Sequence, residues 1–173
     1  SFFEKTILLH SELNSIELEK FEQSEQLVGA YWCSHAVLSR DWYRFAEHDR
    51  SLLEPTQIDK LFLVYCRDIA GSRSYRKDFM DQIKKQDLSD YCRIQTPSLK
   101  DANPTLSAYY SSEDFLSTGI SVVLETVFDQ RVHFTEKTFR SIACGHPFIL
   151  ANGPGSLEVL RKYGFRTFDP YIN

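Results

Sequence analysis

The sequence predicts an α/β fold in one domain: a mostly parallel sheet with helices on both faces. Three observations carry that expectation. Short, nearly continuous apolar runs at Leu61–Cys66 (LFLVYC), Gly119–Val127 (GISVVLETV) and Pro147–Ala151 (PFILA) read as core strands. Segments with apolar residues at three- and four-residue spacing stand between and after them, so strands alternate with helices. Finally, 42% hydrophobic residues, with thirteen Phe and nine Tyr in 173 residues, are enough to bury a core.

Lys5–His10 (KTILLH) reads as a first strand, followed by the polar loop HSELNS and a charged short helix or exposed turn over Glu17–Gln26. Leu27–Cys33 (LVGAYWC) is a second strand. Ser34 is placed to cap a helix from His35 to His48, with Val37, Leu38, Trp42 and Phe45 on one face. After the third strand, LFLVYC, Gly71-Ser72 breaks the chain, and Tyr75, Phe79, Met80 and Ile83 mark the next helix. Gln86–Asp114 is polar, contains Pro97 and Pro104, and offers only a weak strand at Tyr91–Ile94, so it reads as a long connection. The strand GISVVLETV then resumes the core. Thr135 can cap a helix that buries Phe139, Ile142 and Ala143 and ends at Gly145. PFILA is expected to be a fully buried strand. Asn152-Gly153-Pro154-Gly155 turns the chain into a last helix capped by Ser156, carrying Leu157, Leu160 and Tyr163, and ending at Gly164.

The net charge of −4 gives no general attraction to nucleic acid or anionic membrane, so an anion site must come from local cations or backbone N–H groups. Cys33, Cys66, Cys92 and Cys144 show no CxxC spacing and no histidines at zinc-ligand spacing, and Asp-x-Asp pairs in a suitable turn are lacking; no metal is expected. Free core thiols in a reducing, cytoplasmic compartment are the plainer reading. No apolar run is long enough to span a bilayer. The domain is taken as residues 1–173, with a fragment or one lobe of a larger protein as the alternative.

Three groups of residues can carry chemistry. Glu136 and Lys137 open a helix: a carboxylate accepts two hydrogen bonds from a vicinal diol, and an ammonium meets phosphate as a point charge. Ordinary helix capping explains the same residues. Arg67, at the end of LFLVYC, and Arg73 and Arg76, three apart near the next helix start, can grip a diphosphate, because guanidinium forks match its oxygens. Neutralisation by Asp68 and Asp78 is the competing account. Gly153, Gly155 and Ser156 can cradle an anion with backbone N–H groups, though a tight turn serves equally. Glu125, at a strand end, can hydrogen-bond a sugar or base. The acid/base candidates in the N-terminal half are His10, Glu12, His35 and Asp41. The first-turn position of His35 disfavours its charged form. None of these makes a convincing general base, and the catalytic residue stays unassigned.

The run Val123-Leu124-Glu125-Thr126, then Thr135-Glu136-Lys137, then the apolar GHPFIL strand, resembles the donor-binding signature of fucosyltransferase-type glycosyltransferases. Thr126 stands where that family has Asn. The longer pattern TEKTFRSIACGHPFIL…GSLEVLRKYGF is similar to a motif of uncharacterised phage and marine microbial proteins with glycosyltransferase-like C-terminal halves. The resemblance covers roughly the last fifty residues well and Lys60–Asp78 loosely. It implies a Rossmann-like three-layer sandwich similar to one lobe of a two-lobed (GT-B type) glycosyltransferase. It also implies a nucleotide-sugar donor, with Glu136 on the ribose, Lys137 on the diphosphate and Arg67 or Arg73 on phosphate. A glycan acceptor and a second lobe or chain supplying the base follow from it. No cofactor is implied. A non-catalytic sugar-nucleotide or glycan-binding module, or a structural phage or surface-polysaccharide protein, would preserve the same motif.

Overall fold

The computed structural model describes residues 6–23, 27–31, 33, 35–52, 57–95 and 109–168. In chain order the elements are β1 (Thr6–His10), β2 (Glu12–Leu13), α1 (Ile16–Glu22), β3 (Leu27–Tyr31) and α2 (Ala36–Leu52). The core follows as β4 (Lys60–Tyr65), α3 (Tyr75–Lys85), β5 (Cys92–Gln95), α4 (Ser112–Leu116) and β6 (Thr118–Leu124). The chain then forms β7 (Val132–His133), α5 (Glu136–Ala143), β8 (Phe148–Ala151) and α6 (Ser156–Lys162). The proposed cap Ser34, the prolines Pro97 and Pro104, and Lys5 and Trp32 at the strand ends lie outside the described residues.

Four parallel strands form the central sheet in the order β5-β4-β6-β8. The alternation predicted from the apolar runs produces an α/β sandwich of the Rossmann-like type. Side chains leave the sheet with period two. Leu63 and Val123 pack toward Trp42 and Ala46 of α2, Phe115 of α4 and Phe139 of α5. Val64 and Leu124 face the other way, against Tyr75, Phe79 and Met80 of α3. The chain leaves β4 toward β5 on one side and later places β6 on the other. The strand order therefore reverses between β4 and β6, and the carboxyl ends of these two strands diverge there into a crevice.

Two small sheets complete the fold. β1 and β3 pair in parallel, and β2 pairs antiparallel with β7, placing Glu12 opposite His133. Two-residue strands have too little periodicity to be legible in sequence, so the β2–β7 link was not foreseen. Three local expectations change. On α2, Trp42 and Ala46 are buried, whereas Val37 and Phe45 are exposed; the inner stripe is the i, i+4 row of Leu38, Trp42 and Ala46. β8 is the sheet edge: Phe148 is buried but Ile149 is exposed, so PFILA is not covered on both faces. On α6, Gly155 at φ +78° occupies the cap position, and Ser156 is the first helical residue. Among the described residues no helix is long and apolar enough to cross a membrane.

Candidate anion-binding cavity

A cavity of about 690 Å³ opens at the carboxyl ends of β4 and β6, within the size range of small-molecule sites. Its walls come from the segment after β4, the start of α3, the end of β5, the start of α5, and His35 and His133. Arg67, Arg73, Arg76, Lys137 and Arg140 line it, against two carboxylates, Asp68 and Glu136. A chain of net charge −4 thus concentrates positive charge at its topological switch point.

The β4 side is organised by Asp68. Its Oδ1 accepts from the Ala70 N–H at 2.9 Å and its Oδ2 from Arg73 Nη1 at 2.9 Å. The Ala70 N–H holds this carboxyl below its ordinary pKa; burial opposes it, and Arg73, Arg76 and Arg67 add to the lowering. Arg76 is only 2% exposed. Its Nη1 donates to the Asp68 carbonyl, and its Nη2 to the Leu124 and Glu125 carbonyls, all at 2.8 Å. It therefore ties the ends of β4 and β6 together. Sequence reasoning put Arg76 on a diphosphate; the structure spends both its terminal nitrogens on backbone.

The α5 side is organised by Glu125, which is 0% exposed. Its carboxylate accepts from the Thr135 N–H at 2.9 Å and from the Thr135 and Thr138 hydroxyls at 2.5 Å. Thr135 Oγ1 in turn caps α5 by accepting from the Lys137 N–H at 3.4 Å. Glu125 is thus a support for the helix start and does not line the cavity, contrary to the expected sugar or base contact. Glu136 and Lys137 do line it. Lys137 Nζ lies 2.7 Å from Glu136 Oε1, and Glu136 Oε2 lies 3.6 Å from His35 Nδ1. Burial alone would raise the Glu136 pKa, but Lys137, the helix backbone and His35 outweigh it and hold the carboxyl at about 2.

Arg140 was not foreseen. It is 4% exposed, its guanidinium lies 4.8 Å from the Tyr65 ring centroid and 5.5 Å from that of Trp42, and it donates to the Tyr109 carbonyl. No carboxylate among the described residues forms an ion pair with it. Tyr65 is held in place by its hydroxyl, which donates to Asp114 Oδ2 at 2.6 Å. Burial lowers the pKa of Arg140 and outweighs the opposing pull of Tyr65 and of the Glu136 carboxylate, which lies beyond ion-pair distance. The legible signal was the i, i+4, i+7 row Glu136, Arg140, Ala143, which places Arg140 on a partly buried stripe. His35 and His133 meet edge to face, with ring centroids 6.5 Å apart, on the same wall. Sequence separation hides such pairs.

Gly153, Gly155 and Ser156 are not among the cavity residues. A Cβ on Gly153 would collide with the Arg131 carbonyl oxygen, so this glycine permits close backbone packing. The Ser156 hydroxyl donates to the Gly153 carbonyl. One helix start, that of α5, therefore meets the arginine-bearing tip of β4; the start of α6 lies elsewhere. Among the described residues no cluster of three His, Cys, Asp or Glu is arranged to hold a metal ion. No family model, curated protein or solved structure matches this chain.

Proposed function

We propose that this protein binds a nucleoside diphosphate sugar in the cavity between β4 and β6 and acts as a metal-independent glycosyltransferase on a glycan acceptor. The observation that carries the proposal is the excess of cations lining the cavity, five against two carboxylates, above all the buried Arg140, which forms no ion pair among the described residues. A diphosphate would balance the cations in excess, through the charge-assisted hydrogen bonds that guanidinium and ammonium groups form with its oxygens. Arg67, Arg73, Lys137 and Arg140 are the phosphate partners in this reading. The resemblance puts the ribose diol on Glu136, whose carboxylate lines the cavity between Lys137 and His35. In the transfer, negative charge collects on the leaving diphosphate, and fixed cations meet it where it develops. The resemblance to the fucosyltransferase-type signature points the same way.

The test is a thermal-shift and calorimetric screen of the purified protein against nucleoside diphosphates, their sugar conjugates and inorganic diphosphate. Saturable binding is expected, weakened at least tenfold in Lys137→Ala and Arg73→Ala and falling with ionic strength. Release of nucleoside diphosphate from a labelled donor then separates a transferase from a binding module. Absence of binding by every nucleotide would end the proposal.

A further inference from the structure

His35 enters the cavity from the start of α2, and its Nδ1 faces Glu136 Oε2 at 3.6 Å. A carboxylate opposite Nδ1 favours the tautomer with its proton there, which leaves Nε2 as the basic nitrogen. Resting on the donor-binding proposal above, we infer that His35 is the general base of this protein, with Glu136 as its positioning residue. The substrate it activates is a hydroxyl, of a glycan or of water. In the step, the hydroxyl oxygen attacks the anomeric carbon and a new C–O bond forms. The bond from that carbon to the diphosphate oxygen breaks, its electron pair leaves on the diphosphate, and the hydroxyl proton passes to His35 Nε2.

The surroundings suit both states of the imidazole. Burial keeps its pKa below the ordinary value, so the resting ring is neutral and ready to accept. Glu136 from α5 and Glu125 from the end of β6 favour the protonated form, while His133 from β7 and Lys137 from α5 oppose it. A nearby carboxylate that stays ionised can hold the imidazolium once it forms, as in hydrolase triads. His133 is the less suitable candidate. Its Nδ1 donates to the Ser11 carbonyl at 2.8 Å, a neutral partner that stabilises an imidazolium less. The inference also answers what the sequence lacked, a base within this chain.

The experiment measures nucleotide binding and donor turnover separately in the full-length protein, with His35→Asn and His35→Ala, each checked for an unchanged melting profile. Expected is binding within threefold of wild type and turnover lower by about 10²–10⁴-fold, the usual worth of a positioned base. Added imidazole should restore part of the rate in His35→Ala. Glu136→Gln should move the acid limb of the pH–rate profile to lower pH. Turnover that survives in both His35 variants, or that is lost with His133→Asn instead, overturns the inference. So does a wild-type protein that binds nucleoside diphosphate yet turns over no donor; donor binding then stands without it. A wild type that binds no nucleotide removes both.

Discussion

Glu136 gains its low pKa from neighbours that exist only in the fold, so its ionisation is linked to stability. Its carboxyl titrates at about 2 in the native chain against an ordinary 4.5. A depressed native pKa means that the unfolded chain binds the proton first as pH falls. The stabilisation is therefore fully present above about pH 4.5 and is lost between there and about pH 2. The shift corresponds to roughly 3 kcal/mol or slightly more. Urea unfolding of wild type and Glu136→Gln from pH 7 to pH 2.5 should show a stability gap at neutral pH that narrows steadily below pH 4.5. A gap independent of pH would mean that Lys137 and His35 do not hold the carboxylate as described. Glu125 is different in kind. Its three hydrogen bonds go to the backbone and hydroxyls of one helix start, so its work is to aim α5 at the cavity.

At the level of elements, the sequence was most legible where one periodicity ran long enough. LFLVYC and GISVVLETV became adjacent parallel strands, and the Thr135 cap opened α5 where its spacing required. Legibility failed where an element's neighbours decide its environment. PFILA looks buried from composition, yet its place at the sheet edge exposes Ile149. Arg67, Arg73, Glu136 and Lys137 were readable because each follows a strand or opens a helix. Arg140 and His133 were not, and His35 stood only as one of four acid/base candidates, since only tertiary packing brings α2, β7 and α5 to one wall. The glycines of the β8–α6 turn give a test at this scale. Gly153 has the Arg131 carbonyl in the place of a Cβ, whereas Gly155 has open space but a left-handed φ. Gly153→Ala must push backbone apart and should cost more than about 2 kcal/mol, in the range of overpacked sites. Gly155→Ala pays only for its conformation, about 1–2 kcal/mol. Neither should weaken nucleotide binding beyond the effect of stability. Reduced affinity in folded Gly155→Ala would return the turn to the binding site.

For the whole molecule the decisive feature is a charge distribution at odds with stability. An acidic protein places a guanidinium 4% exposed beside its switch point, against two aromatic rings and one carbonyl, with Glu136 acting on it from beyond ion-pair distance. Desolvating such a charge is costly unless a counterion arrives. A residue selected for packing alone would be apolar here, so Arg140 is expected to weaken the empty protein and strengthen the liganded one. Arg140→Met keeps length and apolar contact with Trp42 and Tyr65 while removing the charge. Without ligand, its stability should match or exceed that of wild type. With a nucleoside diphosphate at a hundredfold above the wild-type Kd, binding adds about 2.7 kcal/mol to wild-type stability, and a tenfold weaker variant would keep only about 1.4. Differential scanning calorimetry with and without ligand reads both effects. Loss of stability in the empty variant, together with an unchanged ligand-induced shift, would make Arg140 a packing residue and leave the cavity without its strongest claim to an anion.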